Sequence, residues 1–113
     1  MQGYLFRYKK QFFSMFSSDL WESLFFVLTN VGILVFADDN FLNPTRLIPL
    51  GKLKVSRVAK KFGKREHVFK LSLNEEEIWT LAAADRGTLD LWVQAISETI
   101  DYVARCPKEF LLK

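Results

Sequence analysis

Residues 52–58 place Leu53, Val55 and Arg57 on one side and Lys52, Lys54 and Ser56 on the other. A period of two predicts a half-buried strand. Short apolar segments bounded by turn residues recur before and after it. Residues 3–10 predict a first strand, a loop runs on through Asp19, and residues 22–28 predict a second strand ending at the turn residues Thr29 and Asn30. A third strand over 32–37 stops at Asp38, Asp39 and Asn40, and Asn43 with Pro44 mark the next loop. The fourth strand covers 46–50, where Pro49 indicates a sheet edge or a strand end. Residues 59–66 read as a basic loop turned at Gly63. Residues 67–73 and 77–84 then form a second hairpin with Asn74, Glu75 and Glu76 at its tip.

After Asp85, Arg86 and Gly87 the period changes. Leu89, Trp92, Val93, Ile96, Ile100 and Val103 recur at helical spacing, with Thr88 as the expected N-cap and Pro107 as the stop near Cys106. Seven strands followed by one amphipathic helix predict a mainly β domain, a seven-stranded antiparallel barrel or sandwich capped by a C-terminal α-helix. Trp92 is expected on the inner face of the plug. The domain is assigned to residues 1–106 and a tail to 107–113, whose Phe110, Leu111 and Leu112 either pack on the domain or lead into a neighbouring one.

At 113 residues, 50% hydrophobic and 15% aromatic, the chain can fill one core. Its longest apolar stretch, residues 24–37, is interrupted by Thr29, Asn30 and Gly32 and is shorter than the ~20 residues of a spanning helix. The N-terminus lacks the charged start, apolar run and small-residue cleavage site of a secretory signal, and a lone Cys106 cannot form an internal disulfide. A cytoplasmic setting is therefore expected. The net charge of +3 is small but unevenly spread. Lys52, Lys54, Arg57, Lys60, Lys61, Lys64, Arg65 and Lys70 face a single acid, Glu66; beyond them Glu75, Glu76, Glu77, Asp85, Asp90, Glu98 and Asp101 face Arg86. One face of the domain should be drawn to anionic surfaces.

Catalysis is not expected. His67 is the only histidine, Cys106 stands at a helix end, and neither a Gly-rich phosphate loop nor a metal-ligand spacing occurs, so no cofactor or metal site is assigned. Phe62 lies within a basic patch, but the modest charge and the acidic helix argue against nucleic acid as a partner.

The sequence resembles the pleckstrin homology (PH) family from residue 3 to residue 100. Gly3-Tyr4-Leu5-Phe6-Arg7 is similar to its opening strand, and Trp21 with Phe25-Phe26-Val27-Leu28 to its second. Gly32-Ile33-Leu34-Val35-Phe36 and Ile48-Pro49-Leu50 stand where its third and fourth strands are expected. Phe69-Lys70-Leu71, Trp79-Thr80-Leu81-Ala82-Ala83 and Leu91-Trp92-Val93 with Ala95-Ile96 match its last strands and helix. The resemblance implies a non-catalytic binding module of a larger signalling or trafficking protein. Members that hold phosphoinositides in the usual pocket use a base on the first strand and two on the second. Here Arg7 fills the first position, but Glu22 and Leu24 occupy the other two. An acid facing phosphate adds repulsion, so tight recognition in that pocket is not expected.

Two other segments are stronger candidates. The first tip, from Lys9 and Lys10 through Phe12, Phe13, Met15 and Phe16, either continues the first strand with some side chains in the core or inserts aromatic side chains at a membrane boundary. In some relatives an atypical anion site lies between this tip and the loop that here carries Lys60, Lys61, Lys64 and Arg65. At roughly 1 kcal/mol per basic residue, four cations give about millimolar binding to an anionic leaflet. One or two inserted Phe side chains at roughly 1.5–3 kcal/mol each would carry it toward micromolar. The expected anion-binding residues are thus Arg7, Lys9, Lys10, Lys60, Lys61, Lys64 and Arg65, with anionic lipid, phosphoinositide among the candidates, as the partner. The competing reading is a protein-interaction module that packs on a neighbouring domain or a small GTPase, with Phe12, Phe13 and Phe16 as interface residues.

Overall fold

The computed structural model describes residues 1–13, 16–39 and 42–105, and the side chains of these residues outside 10–19. Seven strands and one helix follow in the order β1 (Gln2–Phe13), β2 (Phe16–Leu28), β3 (Gly32–Phe36), β4 (Arg46–Pro49), β5 (Leu53–Val58), β6 (Val68–Leu73), β7 (Glu76–Ala82) and α1 (Arg86–Arg105). All neighbouring strands are antiparallel, in the spatial order β4-β3-β2-β1-β7-β6-β5.

Of the barrel or sandwich expected, the seven antiparallel strands and terminal helix are present, but the sheet does not close into a barrel: β4 and β5 are the two edges and do not pair. β4 has four residues, and its Pro49 has no N–H to donate across a closing seam. The chain instead crosses from β4 to β5 through a turn in which the Leu53 amide donates to the Leu50 carbonyl at 3.1 Å, with Leu50 and Leu53 both buried. Packing joins the two halves there. On the other side they meet through a short β1–β7 ladder, Phe6↔Ala82 and Arg7↔Leu81.

Alternate residues of the strands build one core. Leu5, Leu24, Phe26, Ile33, Val35, Ile48, Phe69, Leu71, Trp79 and Leu81 enclose it from the sheet, and Leu89, Trp92 and Ile96 close it from α1. Gly32 lets β3 approach β4 closely, since a Cβ there would meet the Ile48 carbonyl oxygen at 2.5 Å. The turn before it is tied by Thr29, whose Oγ1 accepts from the Val31 and Gly32 amides and donates to the Gly32 carbonyl.

Two local expectations change. The first hairpin is longer than the sequence pattern indicates, because the backbone ladder runs from Gln2↔Val27 to Phe13↔Phe16 in place of a loop through Asp19. A run such as Phe12-Phe13 has no period by which to read strand pairing. The helix N-cap is Asp85, whose Oδ1 accepts the Thr88 amide at 2.7 Å; Thr88 is the third helical residue. The Thr88 amide, then the Thr88 hydroxyl, holds the Asp85 carboxyl below the usual carboxylate value, against the opposing effect of desolvation.

Candidate functional site

Six of the seven candidate cations, all but Lys10, whose side chain lies outside those described, are distributed over three places. Strand alternation divides β1 into an inner row, Leu5, Arg7 and Lys9, and an outer row, Tyr4, Phe6 and Tyr8.

On the inner row, Arg7 lines a cleft of about 420 Å³ with Glu22, Ser23, Leu24, Thr45, Arg46 and Trp79. Arg7, Glu22 and Leu24, the three positions named above by resemblance, thus line one cleft. The Arg7 guanidinium lies 4.2 Å from the Trp79 ring centroid and that of Arg46 lies 5.6 Å from it, so two cations share one aromatic face system. Glu22 points an acid into the cleft and pairs with Lys9 at 3.4 Å; both side chains are exposed, so the pair contributes little stability. Leu24 is buried in the core. Arg46 was not legible as a site residue: it reaches the cleft only through its register opposite Val35 on the edge strand.

On the outer row the β5–β6 loop folds over the sheet. Phe62 and Arg65 exchange backbone hydrogen bonds of 2.9 and 3.0 Å around Gly63 and Lys64, both at positive φ, 54° and 67°. This is the geometry of a two-residue type I′ turn. The turn is fixed to the hairpin by the Trp21 indole, which donates to the Gly63 carbonyl at 2.8 Å, and by edge-to-face contacts of Tyr8 with Trp21 and Phe62 at 5.3 and 4.8 Å. Arg65 lies 3.8 Å over the Phe6 ring, and Lys70 lies 4.9 Å over Phe62. Beneath them Val68 and Ala82 are fully buried, although they face away from the main core. The turn therefore brings residues 62–65 of the basic loop against the first hairpin at Tyr8 and Trp21. Trp21 is the residue that joins them, a role hidden in the sequence behind its place in the second-strand motif.

Only a residue without a side chain fits at Gly63, where a Cβ would stand 2.9 Å from Tyr8 and 3.1 Å from Trp21. Gly63→Val is expected to cost roughly 2–4 kcal/mol, from left-handed strain and overpacking together. The measurement is urea denaturation with Trp fluorescence; a loss under about 0.5 kcal/mol would show that the turn does not need this contact.

Lys60 and Lys61 precede the turn and lie elsewhere, lining a separate cavity with Arg57, His67 and Arg86. Lys64 is exposed at the turn. Among the described residues Lys60, Lys61 and Lys64 have no acidic partner. The side chains of Lys10, Phe12, Phe13 and Phe16, and the whole of Met15, lie outside the described residues, as do Cys106 and the tail.

Comparison with known proteins bears on this fold. The chain is 26% identical to a pleckstrin homology domain of known solution structure, covering 95% of this chain and 89% of that one with a TM-score of 0.76. It is 25% identical to the pleckstrin homology domain of the mouse ethanol decreased 4 protein, covering 88% and 85%, TM-score 0.70. The PH domain of human TBC1 domain family member 2 shares the fold at 18% identity, covering 95% and 85%, TM-score 0.74. Comparison with curated proteins gave no match. The family model for the PH domain matches residues 1–101. With nearly the whole chain matched and the strand order and terminal helix in place, the chain belongs to the PH-domain family, whose members are non-catalytic modules for membrane and protein interaction.

Proposed function

We propose that this PH domain attaches peripherally to anionic membranes on the cytoplasmic side, through the face where the Phe62–Arg65 turn meets the β1–β2 hairpin. The observation that supports it is the bond from the Trp21 indole to the Gly63 carbonyl, with the aromatic contacts around it. It holds the basic loop against the hairpin, so ordering that loop adds no entropic cost at the moment of binding. Lys60, Lys61 and Lys64 have no acidic partner among the described residues and are exposed, so their charge is available to a leaflet, from Lys64 on this face and from Lys60 and Lys61 on the adjoining α1 side. Arg65 is committed in part to Phe6 and contributes as a rigid edge of the same patch. Lys9 extends the basic surface along the hairpin, and to Lys10, Phe12, Phe13, Met15 and Phe16 this reading assigns the further charge and the apolar insertion that the loop cations alone leave wanting. Phosphoinositide-rich vesicles should bind chiefly by their charge, since Glu22 and the buried Leu24 weaken the inner cleft as a stereospecific headgroup pocket.

The same Glu22 favours the second reading, a PH domain that packs on a neighbouring domain or a small GTPase with little lipid binding. Salt separates the two. Co-sedimentation with phosphatidylserine vesicles should be strong at about 0.1 M salt and largely lost near 1 M, where the screening length falls from ~10 to ~3 Å. Equal sedimentation at both, or none with anionic vesicles at low salt, would refute membrane attachment.

A further inference from the structure

We propose that the domain carries a second anion site, distinct from the membrane-facing turn, in the cavity between the end of β5, the start of β6 and the first turn of α1. Its ligand is a compact phosphate ester bearing more than one phosphate group. The cavity has a volume of about 460 Å³, within the ~300–1,000 Å³ of small-ligand sites. Val58, Ala59 and Leu89 contribute an apolar part of its lining, and Lys60, Lys61, Arg57 and Arg86 contribute cations.

The charges around it are unequally satisfied. Arg57 is paired with Asp90 on α1. Asp85 spends its carboxylate on the Thr88 amide, and Glu66, the only acid in the lining, lies 4.0 Å from the His67 imidazole. Lys60, Lys61 and Arg86 have no acidic partner among the described residues. Three like charges converge on one concavity from two segments far apart in sequence, an arrangement that repels itself until an anion enters. Cations brought by two separate segments, Lys60 and Lys61 from one and Arg86 from the other, match a ligand that carries more than one phosphate group.

The site is separate because the type I′ turn divides the loop. Gly63 is anchored to Trp21 and Arg65 to Phe6, whereas Lys60 and Lys61 lie on the α1 side of that anchor. The proposal does not rest on membrane attachment. The same chemistry is offered by a free inositol polyphosphate and by the headgroup of a polyphosphorylated lipid.

The test follows amide chemical shifts of the isotope-labelled chain during titration with inositol hexakisphosphate, and separately with a short-chain phosphatidylinositol bisphosphate. Saturable shifts are expected at residues 59–61, 66–67 and 85–87. Response to the soluble probe alone assigns a free polyphosphate, and response to both includes the lipid headgroup. Arg86→Glu should weaken binding by about tenfold to a hundredfold, the loss of one charge-assisted contact. An acid in the first helical turn complements the helix dipole, so this variant should fold; Arg86→Ala, which removes the charge without reversing it, is the second variant if its spectrum says otherwise. Shifts confined to the Arg7–Arg46 cleft or to residues 63–65, no shifts with either probe, or undiminished affinity in both variants would overturn the site. Arg86→Glu should still sediment with phosphatidylserine vesicles, so failure here and failure of membrane attachment are read separately.

Discussion

Trp92→Ala is expected to remove about 3–5 kcal/mol of stability, most of what a small domain possesses. Trp92 is 2% exposed and is the largest fully buried side chain of the core. It projects from α1 between the two halves of the sheet, its ring edge-on to Phe26 at 6.4 Å and 3.7 Å from where a Cβ on Gly3 would stand. Because the sheet is open, with β4 and β5 unpaired, only the short β1–β7 ladder on one side bridges the halves around a vacated space. Truncation therefore loses the transfer of the indole from water, leaves a cavity, and unfastens the helix from β1 and β2 together. Urea denaturation followed by circular dichroism should show an unfolded or barely folded Trp92→Ala, with Trp92→Phe recovering part of the difference. A cooperative transition weakened by less than about 1 kcal/mol would mean that Trp92 is not the plug.

Much of this fold was legible in local pattern. Seven strands announce themselves by alternation and turn residues, and α1 by the change of period at Leu89 and Trp92. The features that were not legible are decided by groups far apart in sequence or by geometry without a sequence marker. Asp85 and Thr88 are both good N-cap residues three positions apart, and only the hydrogen bond between them shows which one caps and which one donates. Closure of the sheet depends on whether β4 finds β5, which no local pattern encodes. In the site, the charge of residues 60–65 is obvious but its division is not. Lys64 takes a positive φ that nothing in its chemistry advertises, and the resulting turn sends Arg65 to Phe6 while Lys60 and Lys61 face Arg86, more than twenty residues along the chain.

That division changes how the membrane reading is best tested. Reversing Lys60, Lys61, Lys64 and Arg65 together would mix two effects, because Arg65→Glu also strips the guanidinium from the Phe6 ring and loosens the turn. Lys60→Glu, Lys61→Glu and Lys64→Glu in one chain change charge alone, since all three side chains are exposed and none makes an ion pair among the described residues. At roughly 1 kcal/mol of leaflet attraction per residue, their loss weakens vesicle binding by at least about a hundredfold, and repulsion from the three new acids deepens it. The triple variant should unfold at the same urea concentration as the parent and remain in the supernatant with phosphatidylserine vesicles. Restoring Lys64 alone should bring back part of the binding, because it stands at the turn that abuts the hairpin, away from the α1 cavity. If instead the triple variant sediments as the parent does, the unpaired lysines are a solvated surface and attachment must be sought in the hairpin itself.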